Sequence, residues 1–118
     1  KLEQRTIFVI EYQGKYMIRK RPEKGLLAGM WELPGQEQHM SLEEIRDWTS
    51  EWDLSGDIQL LGRAKHIFSH VEWHMLGYGI HLREIPDQLQ AEGIFCDVQT
   101  LREQYSIPTA FAYYLQSL

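Results

Sequence analysis

Gly35-Gln-Glu-Gln-His-Met-Ser41-Leu-Glu-Glu-Ile45-Arg-Asp-Trp48-Thr-Ser-Glu-Trp52-Asp-Leu-Ser-Gly56 is the stretch on which the reading of this chain turns. Leu42, Ile45, Trp48 and Trp52 recur at helical spacing and share one face. Ser41 and Glu44 stand three apart in a capping-box pattern, which satisfies two orphan donors at a helix start. Ser55-Gly56 supplies a stop. The stretch therefore predicts a helix from Ser41 to about Leu54. Glu44, Asp47 and Glu51 form a separate acidic stripe, suited to a solvated helix face.

Outward from this helix, both flanks read as strands. Thr6 to Tyr12 is rich in β-branched and aromatic residues and reads as a buried strand. Gln13-Gly14 is a two-residue turn signal, so Lys15 to Lys20 should return as the second arm of a hairpin. Pro22, Gly25 and Gly29 mark a loop from Arg21 to Gly29, and Met30 to Leu33 suits a short strand. Beyond the helix, Ile58 to Phe68 and Val71 to Leu82 read as two longer strands joined near Ser69-His70. Pro86 closes that part. Asp97 to Gln104 reads as a short helix with Asp97 as N-cap. Pro108 opens a final helix whose apolar stripe is Ile107, Phe111, Tyr114, Leu115 and Leu118. Hairpins outnumber crossovers, so the expected architecture is α+β, a mixed sheet flanked by helices.

The bulk properties are compatible with that plan. A chain of 118 residues suits one domain spanning 1–118. Chains of this size bury roughly two-thirds of their unfolded surface, enough for a core without staples. The single cysteine, Cys96, rules out an internal disulfide framework and favours a reducing, cytoplasmic compartment. No apolar run approaches a membrane span. Lys1 to Arg5 does not resemble a signal peptide and reads as a cut from a longer protein. A formal net charge of −5 argues mildly against nucleic acid, but distribution counts for more than the sum. Lys15, Arg19, Lys20, Arg21 and Lys24 form one cationic stretch, and Arg63, Lys65, His66, His70 and His74 a second. A basic face opposite an acidic one is one reading, and ordinary solvated surface is the other.

Laid from Gly35, the quoted stretch resembles the signature of the Nudix hydrolases in its frame, and the closing glycine falls on Gly56. The chemistry departs from that signature. Ser41 stands at the first glutamate position, Thr49-Ser50 at the Arg-Glu pair and Asp53-Leu54 at the Glu-Glu pair. Magnesium seeks clustered oxygen ligands, and it would have to offset charge on pyrophosphate oxygens. Asp53 alone cannot assemble such a cluster. The resemblance thus implies a Nudix-like fold without catalytic or metal-binding residues.

A second resemblance is more specific. Arg21 to Gly35, the turn Phe68-Ser69-His70, and Tyr105-Ser-Ile-Pro-Thr-Ala-Phe111 together resemble the C-terminal domain of the MutY family of A/G-specific adenine DNA glycosylases. That resemblance implies a DNA-repair role in which this domain recognises 8-oxoguanine opposite adenine in duplex DNA. It implies that a separate N-terminal helical domain, outside this chain, removes the adenine and carries an iron–sulfur cluster, with no cofactor in the present domain. It also carries over Phe68, Ser69 and His70 as recognition residues.

The residue chemistry suits that role. A phenylalanine at a hairpin tip wedges against bases or packs its own loop. Phe68 alternates with His66 and equally suits a core position. A serine hydroxyl both donates and accepts, which matches a lesion that gains a donor at N7 and an acceptor at O8. His70 either donates to a phosphate or steadies the turn. Lys65, His66 and Arg63 are expected, on charge alone, to contact the DNA backbone. His66, His70 and His74 are spaced by four, but a hairpin does not converge them and no cysteine or carboxylate completes a tetrahedral set. Two other readings stay open: an active nucleotide pyrophosphohydrolase with a divergent metal site, and a protein-interaction module.

Overall fold

The computed structural model describes all residues, 1–118. Its elements are β1 (Leu2–Tyr12), β2 (Lys15–Lys20), β3 (Trp31–Glu32), β4 (Gly35–Glu37), α1 (Leu42–Trp48), β5 (Gln59–Ile67), β6 (Glu72–His81), α2 (Asp87–Glu92), β7 (Ile94–Asp97), α3 (Val98–Gln104), a 3-10 turn at Thr109–Phe111, and α4 (Ala112–Leu115). The sheet runs β3-β2-β1-β6-β5, with β4 pairing β1 and β7 pairing β2. The β1–β6 pair is parallel and every other pair is antiparallel, so the sheet is mixed, as expected.

From Thr6 to Ile10, β1 is buried on both faces. Ile7 and Val9 join one core with Ile18, Trp73, Met75, Leu101, Phe111 and Tyr114. Phe8 and Ile10 join the other with Met17, Ile45, Tyr78, Ile80 and Leu89. The two-residue alternation of a strand produces this division, with α1 and α2 covering one face and the C-terminal segments the other. The β1–β2 hairpin turns on Gln13 and Gly14, both at positive φ (49° and 79°), as a primed two-residue turn requires. No helix is long and apolar enough to cross a membrane.

Three expectations need correction. The central helix ends at Trp48 and not near Leu54. Thr49 turns its hydroxyl onto the carbonyl of Ile45 at 2.9 Å. The following residues are drawn to the sheet: Leu54 bridges Leu82, and the N–H groups of Ser55 and Arg83 donate to His81 and Asp53. Strand pairing thus outcompetes the helical periodicity that Trp52 continued. Next, β4, α2 and β7 appear where the sequence showed only connections. β4 and β7 are held by their partners β1 and β2, and Pro86 is the N-cap of α2. Finally, the expected last helix is a 3-10 turn followed by four α-helical residues.

Candidate nucleic-acid interface

The two glycines of the Nudix frame have structural reasons to be there. A Cβ on Gly35 would collide with the carbonyl oxygen of Thr6, where β4 lies against β1. Gly56 turns the chain at φ +93°, in the left-handed region. Between them, the positions that would hold metal are poorly furnished. Ser41 caps α1, and both capping-box bonds with Glu44 are made. Thr49 is buried and bonded to the helix. Asp53 lies beyond the helix and pairs with Arg83 at 3.3 Å on open surface. Glu43, Glu44, Asp47 and Glu51 are exposed. No three carboxylate, histidine or cysteine side chains converge. This donor set does not fit a divalent metal, which needs several oxygen ligands around one point.

The β5–β6 hairpin is better organised. Its register pairs Ile67 with Glu72, His66 with Trp73, Lys65 with His74 and Arg63 with Leu76. The tip closes through the N–H of Phe68, which donates to Val71 O at 2.7 Å. Ser69 and His70 are exposed at the turn. Phe68 turns inward. Its ring meets His66 at 4.7 Å and Trp73 at 5.1 Å, both edge to face.

Trp73 is fully buried and organises the region under the tip. Phe111 packs on it at 5.9 Å between centroids. The guanidinium groups of Arg5 and Arg21 lie 4.6 and 5.4 Å from its ring, within cation–π range. Glu32 is buried beside them and takes Arg19 and Arg21 on separate oxygens, at 2.8 and 2.7 Å. Arg19 also donates to the carbonyl of Gly35. Burial is the main influence lowering the Arg5 pKa, with Glu32 acting against it. The first cationic stretch is therefore not a free basic face, since Arg19 and Arg21 are tied to Glu32 and Lys20 pairs with Glu23. Sequence reasoning missed Arg5 and Glu32. The available signal was a lone carboxylate inside the apolar segment Met30 to Leu33.

The six candidate residues occupy three places. His66 and Phe68 share the face of Trp73. Arg63 and Lys65 lie on the opposite face, because neighbours in a strand point opposite ways. Ser69 and His70 hold the tip. His66 and His74 also lie on opposite faces, and His74 is hydrogen-bonded to Glu72. His66, His70 and His74 are not brought together.

Comparison with known proteins fits the scaffold described above. A family model described as NUDIX domain matches residues 6–117. The chain belongs to the Nudix domain family. Among curated proteins, it is 35% identical over 74 residues to the adenine DNA glycosylase of Rattus norvegicus, covering 56% of this chain and 14% of that protein. It is 43% identical over 68 residues to the adenine DNA glycosylase of Schizosaccharomyces pombe, covering 48% and 15%. The Homo sapiens adenine DNA glycosylase is 30% identical over 86 residues, covering 63% and 16%. The matched region thus spans only a small part of these relatives. Among solved structures, the Nudix-family chain resembles the C-terminal domain of mouse MUTYH in complex with human PCNA (TM-score 0.68, 20% identity, 98% of this chain and 88% of that one). It resembles the MutT protein of Methanosarcina mazei Go1 equally in fold (TM-score 0.68, 16% identity, 98% and 91%). At such identities these structures speak for the fold alone.

Proposed function

We propose that this Nudix domain is the lesion-recognition part of an adenine DNA glycosylase of base excision repair. On this reading it recognises 8-oxoguanine opposite adenine in duplex DNA and is not itself catalytic. The observation that carries the reading is a Nudix frame kept in its glycines but lacking a metal-binding carboxylate cluster, in a chain whose curated relatives are adenine DNA glycosylases. Adenine removal is assigned to an N-terminal catalytic domain with its iron–sulfur cluster. The one cysteine here could not hold such a cluster, which takes four thiolates.

Ser69 and His70 supply the polar groups for this role. They stand exposed on a tip braced from inside, so ordering them on binding costs little entropy. The serine hydroxyl can accept from the lesion's N7–H or donate to its O8, and guanine offers neither group. The test is the full-length protein carrying Ser69→Ala and His70→Ala, assayed for adenine release from 8-oxoguanine:adenine and guanine:adenine duplexes. The expected result is a smaller ratio between the two rates. An unchanged ratio would overturn the assignment.

A further inference from the structure

The hairpin has two faces that differ in character, and only one of them is free. On the Trp73 face, Phe68 is wedged between His66 and Trp73 and joins the core. On the other face, Arg63, Lys65 and Ile67 follow one another at every second position of β5 and are all exposed. Ile67 is 63% exposed, although it is among the most apolar residues of the chain. Lys65 stands directly opposite His74, and a shallow depression is lined by Arg63, Ala64, Lys65, His74 and Met75. Neither Arg63 nor Lys65 is in an ion pair, unlike Arg19 and Arg21. The one carboxylate in the strip, Glu72, is hydrogen-bonded to His74.

We infer that duplex DNA is met by the β5 stripe of Arg63, Lys65 and Ile67 together with His74, and that Phe68 is a positioning residue bracing the hairpin from the opposite side. This rests on the DNA-binding role proposed above and changes which apolar residue touches the DNA. The charge of the strip is complementary to a polyanion. Strand geometry sets Arg63 and Lys65 about 6.6 Å apart, comparable to the spacing of successive phosphates along one DNA strand. Phosphate contacts of this kind fix register without reading sequence. Ile67 then lies at the leading edge, where an exposed apolar side chain can lodge against sugars or a base step. Phe68 can do so only by leaving Trp73 and giving up its packing.

The experiment is a two-dimensional NMR and fluorescence-anisotropy titration of this chain with two duplexes, one unmodified and one with a single 8-oxoguanine:adenine pair, across a range of salt. Amide shifts are expected at Arg63, Lys65, Ile67 and His74 with both duplexes. Arg63→Ala with Lys65→Ala should reduce the slope of log K against log salt by about two on both. Ile67→Ser should weaken binding without lowering Tm. Phe68→Leu should lower Tm and leave affinity for the unmodified duplex unchanged at temperatures where the variant is folded. An unchanged salt slope, a loss of affinity for the unmodified duplex confined to folded Phe68→Leu, or no binding to either duplex would each overturn the inference. Equal affinity for the two duplexes, with the salt effect intact, would instead overturn the lesion-recognition reading and leave the strip standing.

Discussion

Phe68 and Trp73 meet edge to face, with ring centroids 5.1 Å apart and planes inclined at 71°. The contact ties a surface turn to the largest fully buried aromatic residue of that face. Arg5 from β1 and Arg21 from just past β2 lie on the same indole, and Phe111 packs on it from the C-terminal segment. One side chain thus couples four parts of the chain, and the exposed Ser69-His70 turn inherits their rigidity.

If that coupling is energetic, it should appear in a double-mutant cycle. Phe68→Leu, Trp73→Leu and the double variant, unfolded in urea, should give an interaction energy of about 1 kcal/mol, the usual worth of an aromatic pair beyond its area. Strictly additive effects would mean that the rings are neighbours without being partners.

The two frame glycines should respond differently to the same change. Gly35→Ala drives a methyl group into the Thr6 carbonyl, a backbone atom that cannot step aside without parting β4 from β1. The expected loss is about 2 kcal/mol or more, the range for overpacking. Gly56→Ala meets no atom within 4 Å and suffers only backbone strain at φ +93°. Its expected loss is about 1 kcal/mol. Chemical denaturation of both variants checks the order, and a larger loss at Gly56 would refute it.

Acid should weaken the fold partly through Glu11. Burial pushes its carboxyl pKa up, but hydrogen bonds from the Gly14 N–H at 2.8 Å and from His81 at 2.9 Å outweigh this and hold it below its ordinary value of 4.5. A depressed folded-state pKa contributes stability above the unfolded value, and that stability is lost as pH falls through the folded value. Asp97, held down mainly by the Thr100 N–H, acts in the same direction. Wild type should therefore lose stability below about pH 4.5 more steeply than Glu11→Gln. A constant gap between the two, measured by urea midpoints across that window, would remove Glu11 from the account.

Local chemistry was legible where it was self-contained. The Gln13-Gly14 turn, the Ser41 and Asp97 caps and the long β5–β6 hairpin all depend on residues near in sequence, and all formed as expected. The end of α1 was not legible, because Leu82 and Arg83 set it from more than two dozen residues away. Short β4 and β7 likewise exist only through their partners. At the candidate site, alternation placed His66 and Phe68 on one side and Lys65 on the other. Which side faced the core depended on Trp73, and that required the structure.

The departure from a metal-binding Nudix site can be tested without knowing any substrate. A protein that binds a divalent ion when folded and not when unfolded gains about 2.7 kcal/mol at a hundredfold excess over Kd. Here the surviving acid of the frame, Asp53, is engaged with Arg83 on open surface, and nearby carboxylates face solvent separately. Such exposed pairs contribute little to stability. Tm should accordingly be the same in magnesium and in EDTA, and Asp53→Asn should shift stability by less than about 0.5 kcal/mol. A magnesium-dependent rise in Tm that disappears in Asp53→Asn would restore a metal site to this frame. The non-catalytic role proposed for the domain would then have to be given up.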